Sequence, residues 1–438
     1  MQFRFIAVFL ICAFAPLAFL RAQSEGEKQV SEFEVNGLKV LVKRRPGVPT
    51  VAAALFIKGG STNLKPETAG IESLMLNVST EATKSYPREM LRKELARTAT
   101  NISSSTGRDY SGLVMASTKQ NFDESWKIFT DVALNPSFAP EDVDRVRGNV
   151  LTALRAKEDA PDQLLQDTVE RTMYTGHPYA NDPEGTPENI AKFTPAELAA
   201  YHKRVMQTSQ LLLVIVGDVD PATVQQRVTA SFGTLPRGAY KMPTVPALDF
   251  SKPALDVVNH AVETDYVQGS FGAPSPSDSD YYPMRVAISI LQTQVYQEVR
   301  TRLNLSYAPD AGLNTNSANN AFIYVTTTKP NEAVGAMLSK MKDLRENEVT
   351  EDTIRQYGNF FLTTYYIGQE TDAAQAGELA RYELLGGGWR NSFGFIDRLR
   401  QVTPAQVKAV SQKYMKNVRF DLVGSPTGID RSIFLQGS

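Results

Sequence analysis

The feature that most constrains this chain is that it repeats itself. Glu141-Asp142 opens the segment EDVDRVRGNVLTALRAKEDAPDQLLQ, and Glu351-Asp352, 210 residues later, opens EDTIRQYGNFFLTTYYIGQETDAAQA. Gly148-Asn149 and Gly358-Asn359 keep the same offset. Further on, FTPAELAAYHKRVMQTSQLLLVIVGD is echoed by VTPAQVKAVSQKYMKNVRFDLVG. Thr194-Pro195 and Thr403-Pro404 each predict a helix start, because Thr caps the first turn and Pro suits its first position. Each helix then leads into an apolar strand ending in Val-Gly, at Gly217 and Gly424. Helix starts, glycines and a terminal strand recurring in one order imply a duplication, and hence two lobes of one architecture.

Each half begins with strands. Leu38 to Arg44 and Thr50 to Gly60 are β-rich runs punctuated by Pro46, Gly47 and Pro49, and Asp256 to Phe271 plays that part in the second half. Between the halves, Gly233 to Ala254 is rich in Pro and Gly, lacks a helical period and reads as a linker. Strands, then helices, then a closing strand predict an α+β fold: two homologous lobes forming a clamshell, each a mostly antiparallel sheet packed with helices. The expected divisions are a signal peptide (1–22), an N-terminal lobe (23–232), a linker (233–254) and a C-terminal lobe (255–438). At 438 residues, two domains are also what core size alone suggests.

The amino terminus has a basic start at Arg4, an apolar run from Phe5 to Leu20 and a small residue, Ala22, suited to cleavage. That run is shorter than the ~20 residues of a spanning helix. It reads as a secretory signal, and the expected destination is periplasmic or extracellular. The only cysteine, Cys12, lies within it, so the mature chain has neither disulfide nor Cys-bound metal. Of 46 basic residues, loss of Arg4 and Arg21 leaves 44 against 48 acidic ones, a net charge of −4. With no long basic run, nucleic acid is excluded as a partner.

After the second strand comes ETAGIESLMLNVSTEA, in which Ile71, Leu74, Met75 and Val78 predict one buried helical face. Ser73, Leu76, Asn77 and Thr80 form the neighbouring stripe. Around this helix lie NGLKV (Asn36 to Val40), a Gly-Gly-Ser turn (Gly59 to Ser61), Ala69-Gly70, LNPSF (Leu134 to Phe138), TGHPYA (Thr175 to Ala180) and IVGD (Ile215 to Asp218). In that order they make the chain resemble the pitrilysin/insulinase-type peptidases, including the processing-peptidase branch, over nearly the whole mature length.

In active members of that family, this helix carries His-x-x-Glu-His. Two imidazoles four residues apart share a helix face and hold one zinc, while the intervening Glu takes the proton from the metal-bound water. The resemblance puts Ser73 and Asn77 at the histidine positions and Leu76 at the base. It puts Ala153 at the distal Glu ligand and Val146 at its acidic neighbour. The chain has only three histidines, His177, His202 and His260, and the closest two are 25 residues apart. No helix can therefore present a His pair. His177 belongs to the GHPY turn, and the other two are expected at the surface. Val146, Val150 and Ala153 read as an apolar stripe, so the expectation is a site filled by packing groups, with no metal, cofactor or catalytic residue on this chain. Ser73 has no triad context that would make it a nucleophile.

In the second half, QVYQEVRTRLNLSYAPDAGL resembles the family segment whose Arg and Tyr, seven residues apart, reach the substrate. Arg300 and Tyr307 match that spacing. The same residues admit a structural reading: an Arg ending a helix favours the negative end of its dipole, and a Tyr entering a strand is commonly half-buried core. The glycine-rich turn usual before the Arg helix is shortened to Leu291-Gln292-Thr293, and a family Gly is replaced nearby at Asn304. The polar run from Thr100 to Thr118 falls where the family has an edge strand that can pair with an extended peptide; it reads equally well as an ordinary exposed edge. The resemblance thus implies a non-catalytic, peptide-engaging subunit whose partners are a companion bearing the intact zinc motif, and with it the zinc, and a peptide or unfolded polypeptide. A scaffold protein derived from the family is the alternative, and a self-sufficient zinc peptidase the least favoured reading.

Overall fold

The computed structural model describes residues 24–436 except residue 159, so the segment read as a signal lies outside the described residues. The first lobe is a six-stranded sheet of β1 (Val30–Val35), β2 (Leu38–Arg44), β3 (Thr50–Lys58), β4 (Asn101–Ser105), β5 (Tyr110–Thr118) and β6 (Leu211–Gly217), in the order β1-β2-β6-β3-β5-β4. β1 and β2 are joined by Asn36-Gly37, both at positive φ (49° and 86°), the pair that a two-residue hairpin turn favours. The second lobe holds β7 (Ala254–Asn259), β8 (Asp265–Gly272), β9 (Asp310–Leu313), β10 (Asn320–Thr327) and β11 (Arg419–Gly424), in the order β7-β11-β8-β10-β9.

The duplication is written in this topology. The last strand of each lobe inserts into the sheet, parallel to β2 or β7 and antiparallel to β3 or β8; every other pairing is antiparallel. Each inserted strand ends at a glycine with positive φ, 151° at Gly217 and 156° at Gly424. A Cβ there would lie 2.8 Å from the Thr50 carbonyl oxygen or 2.0 Å from an Asp265 carboxylate oxygen, so neither position has room for a side chain. The helices Pro195–Val205 and Pro404–Tyr414 both open on capping boxes, Thr194 with Glu197 and Thr403 with Gln406. The α+β fold expected from the sequence is the observed one, with mixed but mostly antiparallel sheets.

The lobes are locked by a reciprocal exchange. β6 is buried at every residue, because its second face is covered by a helix of the other lobe. That helix, Asp372–Leu385, sets Ala376, Leu379 and Ala380 against Ala54, Phe56, Leu212, Val214 and Val216. In return, the first-lobe helix Pro161–Met173 lies on the second sheet. It packs Leu165, Val169 and Met173 beside Val423, and Gln166 Nε2 donates to Gln268 Oε1 at 2.9 Å. The segment read as a linker carries no helix or strand over residues 235–253, yet it is tied to both lobes. Tyr240 donates from its hydroxyl to Asn63 Oδ1 at 2.9 Å, and Asn417 Nδ2 donates to the Phe250 carbonyl at 3.0 Å.

Candidate functional site

The helix Ile71–Ser79 starts at Gly70, which takes φ +90° and approaches Gly185 so closely that a Cβ would lie 2.6 Å from its Cα. The face predicted from periodicity is the buried one: Ile71, Leu74, Met75 and Val78 are all in the core. Leu76, at the position of the family's general base, is 2% exposed and also belongs to that core. Ser73 is 9% exposed. Asn77 donates from Nδ2 to the Ser73 carbonyl at 2.9 Å and accepts from the Ser104 hydroxyl at 3.4 Å. Two neutral oxygens and an amide already bound to its own helix form a poor donor set for a divalent cation, and a core leucine can neither accept a proton nor ligate. These residues do not fit zinc.

The distal position needs a correction. Val146 is buried and Val150 packs on the core, but Ala153 is exposed, so the expected packing stripe stops short of it. The helix Pro140–Glu158 outruns the lobe it packs on: Thr152, Ala153, Arg155 and Ala156 all face solvent. A methyl group stands at the ligand position, unshielded by neighbours. Among the described residues, no three His, Cys, Asp or Glu side chains come together as a metal-holding group.

One acidic residue escaped the sequence reading. Glu72 is 1% exposed; it accepts from the Tyr201 hydroxyl at 2.7 Å and from the Ser111 hydroxyl, joining the helix to Pro195–Val205 and to β5. Burial pushes its pKa up. With both oxygens engaged inside the core, Glu72 ties elements together and offers nothing to a ligand at the Ser73–Asn77 face.

The histidines are structural. His177 caps a short helix by accepting from the Tyr179 N–H at 3.1 Å through Nδ1, and its Nε2 donates to the Pro246 carbonyl at 2.9 Å. His202 and His260 were expected at the surface and are instead half-buried. His202 Nε2 lies 2.9 Å from the Ala133 carbonyl, its ring meets Phe138 edge-on, and burial lowers its pKa. The reason is its place on the inner flank of Pro195–Val205, a helix whose periodicity leaves position 202 at the boundary.

Arg300 and Tyr307 meet. The guanidinium lies over the Tyr307 ring at 4.1 Å and over the Tyr296 ring at 5.1 Å. Tyr307 is 79% exposed, which is not the half-buried core position that a tyrosine entering a strand commonly takes. No turn precedes the Arg segment. Leu291-Gln292-Thr293 lie inside the helix Tyr281–Val295, which runs directly into π-helical Tyr296–Arg302. Asn304 takes φ +51° at its end, so the left-handed residue is supplied by Asn in place of glycine. Across the molecule, β4 is an edge strand with Asn101, Ser103 and Ser105 exposed, and Ser104 on it reaches Asn77. The degenerate helix therefore still sits beside an unpaired strand edge.

Residues 39–186 match the insulinase family (peptidase family M16), and residues 192–359 match the peptidase M16 inactive domain. An uncharacterized zinc protease of Mycobacterium tuberculosis is 21% identical over 91% of this chain and 93% of its own length. A non-peptidase homolog of Helicobacter pylori, YmxG, is 23% identical over 81% of this chain and 84% of its own. The fold superposes on the peptidase M16 inactive domain from Pseudomonas fluorescens with a TM-score of 0.84 at 17% identity, covering 91% of this chain and 98% of that one. It also superposes on the periplasmic protease PqqL of Escherichia coli with a TM-score of 0.73 at 16% identity, covering 92% of this chain but 48% of that one. The duplicated fold, the ordered motifs and both family matches lead to one conclusion: the chain belongs to the pitrilysin/insulinase-type peptidases, family M16.

Proposed function

We propose that this chain is an exported, non-catalytic, peptide-engaging subunit that completes the active chamber of a companion M16 peptidase. One contrast carries the reading: the metal-binding helix has lost its donors to Ser73, Leu76 and Asn77, while a half-buried Arg300 still stacks on the exposed ring of Tyr307. The coverage of PqqL supports the idea of partnering, since this fold makes up about half of that protease, and the Helicobacter relative, named a non-peptidase homolog, supports loss of peptidase activity within the family. On this reading zinc is held by the companion. The present chain orients the peptide, with Arg300 donating through its guanidinium and Tyr307 through its phenol. The apolar run from Phe5 to Leu20 supports export.

Reconstitution tests the proposal. Mixed with a companion M16 chain that carries His-x-x-Glu-His, this chain is expected to raise peptide cleavage, and Arg300→Ala to lower that gain about tenfold or more. Elemental analysis of the isolated chain should find no stoichiometric zinc. Full activity of the companion alone, unchanged in the mixture, would favour a scaffold role; zinc at one per chain with chelator-sensitive cleavage would restore the peptidase reading.

A further inference from the structure

The Arg300 side chain is half-buried. Among the described residues it makes no ion pair or hydrogen bond, and its contacts are the faces of Tyr307 and Tyr296. The adjacent acid does not neutralise it: Glu298 accepts from Arg302 Nε at 2.9 Å and lies 3.9 Å from Lys340 Nζ, on the other side of the same turn. Tyr296 is 43% exposed and Tyr307 79%, so both rings leave the flank of the guanidinium open to a ligand. With aromatic faces beside the cation, what remains for a ligand is the N–H edge. A planar fork of donors matches the two oxygens of a carboxylate better than the single oxygen of a backbone carbonyl.

We propose that Tyr296, Arg300 and Tyr307 form a carboxylate clamp that selects peptides presenting an acid, with Tyr296 as a positioning residue absent from the two-residue pattern. This deepens the peptide-engaging role and rests on it. The two rings restrict the guanidinium by contact, so less rotamer freedom is lost when the carboxylate docks. The acid can be a peptide's own C-terminus or an internal Asp or Glu side chain; both present the same pair of oxygens.

Fluorescence anisotropy with labelled extended peptides and the full mature chain tests this directly. One pair of peptides differs only in a free or amidated C-terminus, and a second pair only in an internal Glu or Gln. One of the two acids is expected to tighten binding about tenfold over its neutral partner, and which pair responds names the source. Arg300→Gln should abolish the difference, Tyr296→Ala should shrink it severalfold, and Tyr296→Phe should keep it, because the ring face and not the hydroxyl does the holding. Thermal melts check that these substitutions leave the fold intact. Equal binding of acid and neutral peptides, or discrimination that survives in Arg300→Gln, overturns the clamp. If peptides bind without regard to the acid while the companion is still stimulated, the clamp alone fails; if acids are selected while the companion ignores this chain, the subunit role alone fails.

Discussion

A single side chain shows how strongly neighbours decide chemistry here. Asp421 is 2% exposed on β11, where the parallel register sets it beside Asp256 of β7, and it accepts from the Thr172 hydroxyl at 2.9 Å. Burial, reinforced by Asp256 and opposed by Thr172, Arg419 and Arg171, pushes its pKa up to about 6. A carboxyl whose folded pKa exceeds its unfolded one stabilises the fold below about pH 4 through its proton, and that contribution is lost as pH rises through about 6. Asp421→Asn keeps an acceptor for Thr172 without the buried charge. It is expected to stabilise the protein by on the order of 1–3 kcal/mol at pH 7.5 and to change little at pH 4, as read from urea midpoints at the two values. Equal effects at both pH values would contradict this. The replaced metal positions were legible at this same scale, since Leu76 cannot titrate in any fold. Glu72 was not, because a glutamate in a helix reads as solvent-facing until Tyr201, 129 residues away in sequence, is brought against it.

At the scale of elements, the exchanged helices explain why β6 is apolar on both faces. LLLVIV has no polar alternation, and the second cover comes from Asp372–Leu385 of the other lobe. Leu379 sits at the centre of that contact and is 2% exposed. Leu379→Ala should cost about 2–5 kcal/mol of global stability, from lost transfer energy and the cavity left behind. A denaturant titration giving under about 0.5 kcal/mol would mean that the helix is peripheral, at the level of an ordinary surface substitution. The helix starts at Thr194-Pro195 and Thr403-Pro404 were readable in the sequence, since a helix start is a local matter, while the structure adds the reciprocal bonds from Glu197 and Gln406. The merging of Leu291-Gln292-Thr293 into one helix ending in a π segment was not readable, since it depends on β9 packing along it: Gln292 donates to Asp310 at 2.7 Å.

For the whole molecule, reciprocal packing makes the two lobes one cooperative body. Each sheet's second face is completed by the partner lobe, through apolar contact at Val214 and Ala380 in one case, and in the other through Val169 and Val423 together with polar contacts at Gln268 and Asp421. The full chain is expected to unfold calorimetrically in a single transition, and a fragment of residues 24–234 to bind a hydrophobic dye through the uncovered face of β3 and β6. Two well-separated heat-absorption peaks, or a compact dye-free fragment, would show that the lobes stand alone. No helix among the described residues is long and apolar enough to cross a membrane.

The sequence by itself determined the duplication, the α+β class, the family and the loss of the inverted zinc motif. These rest on order, spacing and the chemical type of residues, which no folding can alter. Tertiary structure alone decided that Ala153 faces water, that His202 is packed against Phe138, that the lobes exchange helices, and that Tyr296 joins Arg300 and Tyr307. Each of those depends on which distant surface covers a residue. Coverage is set by the sum of many weak apolar contacts between segments far apart in the chain, and so it leaves no local signature.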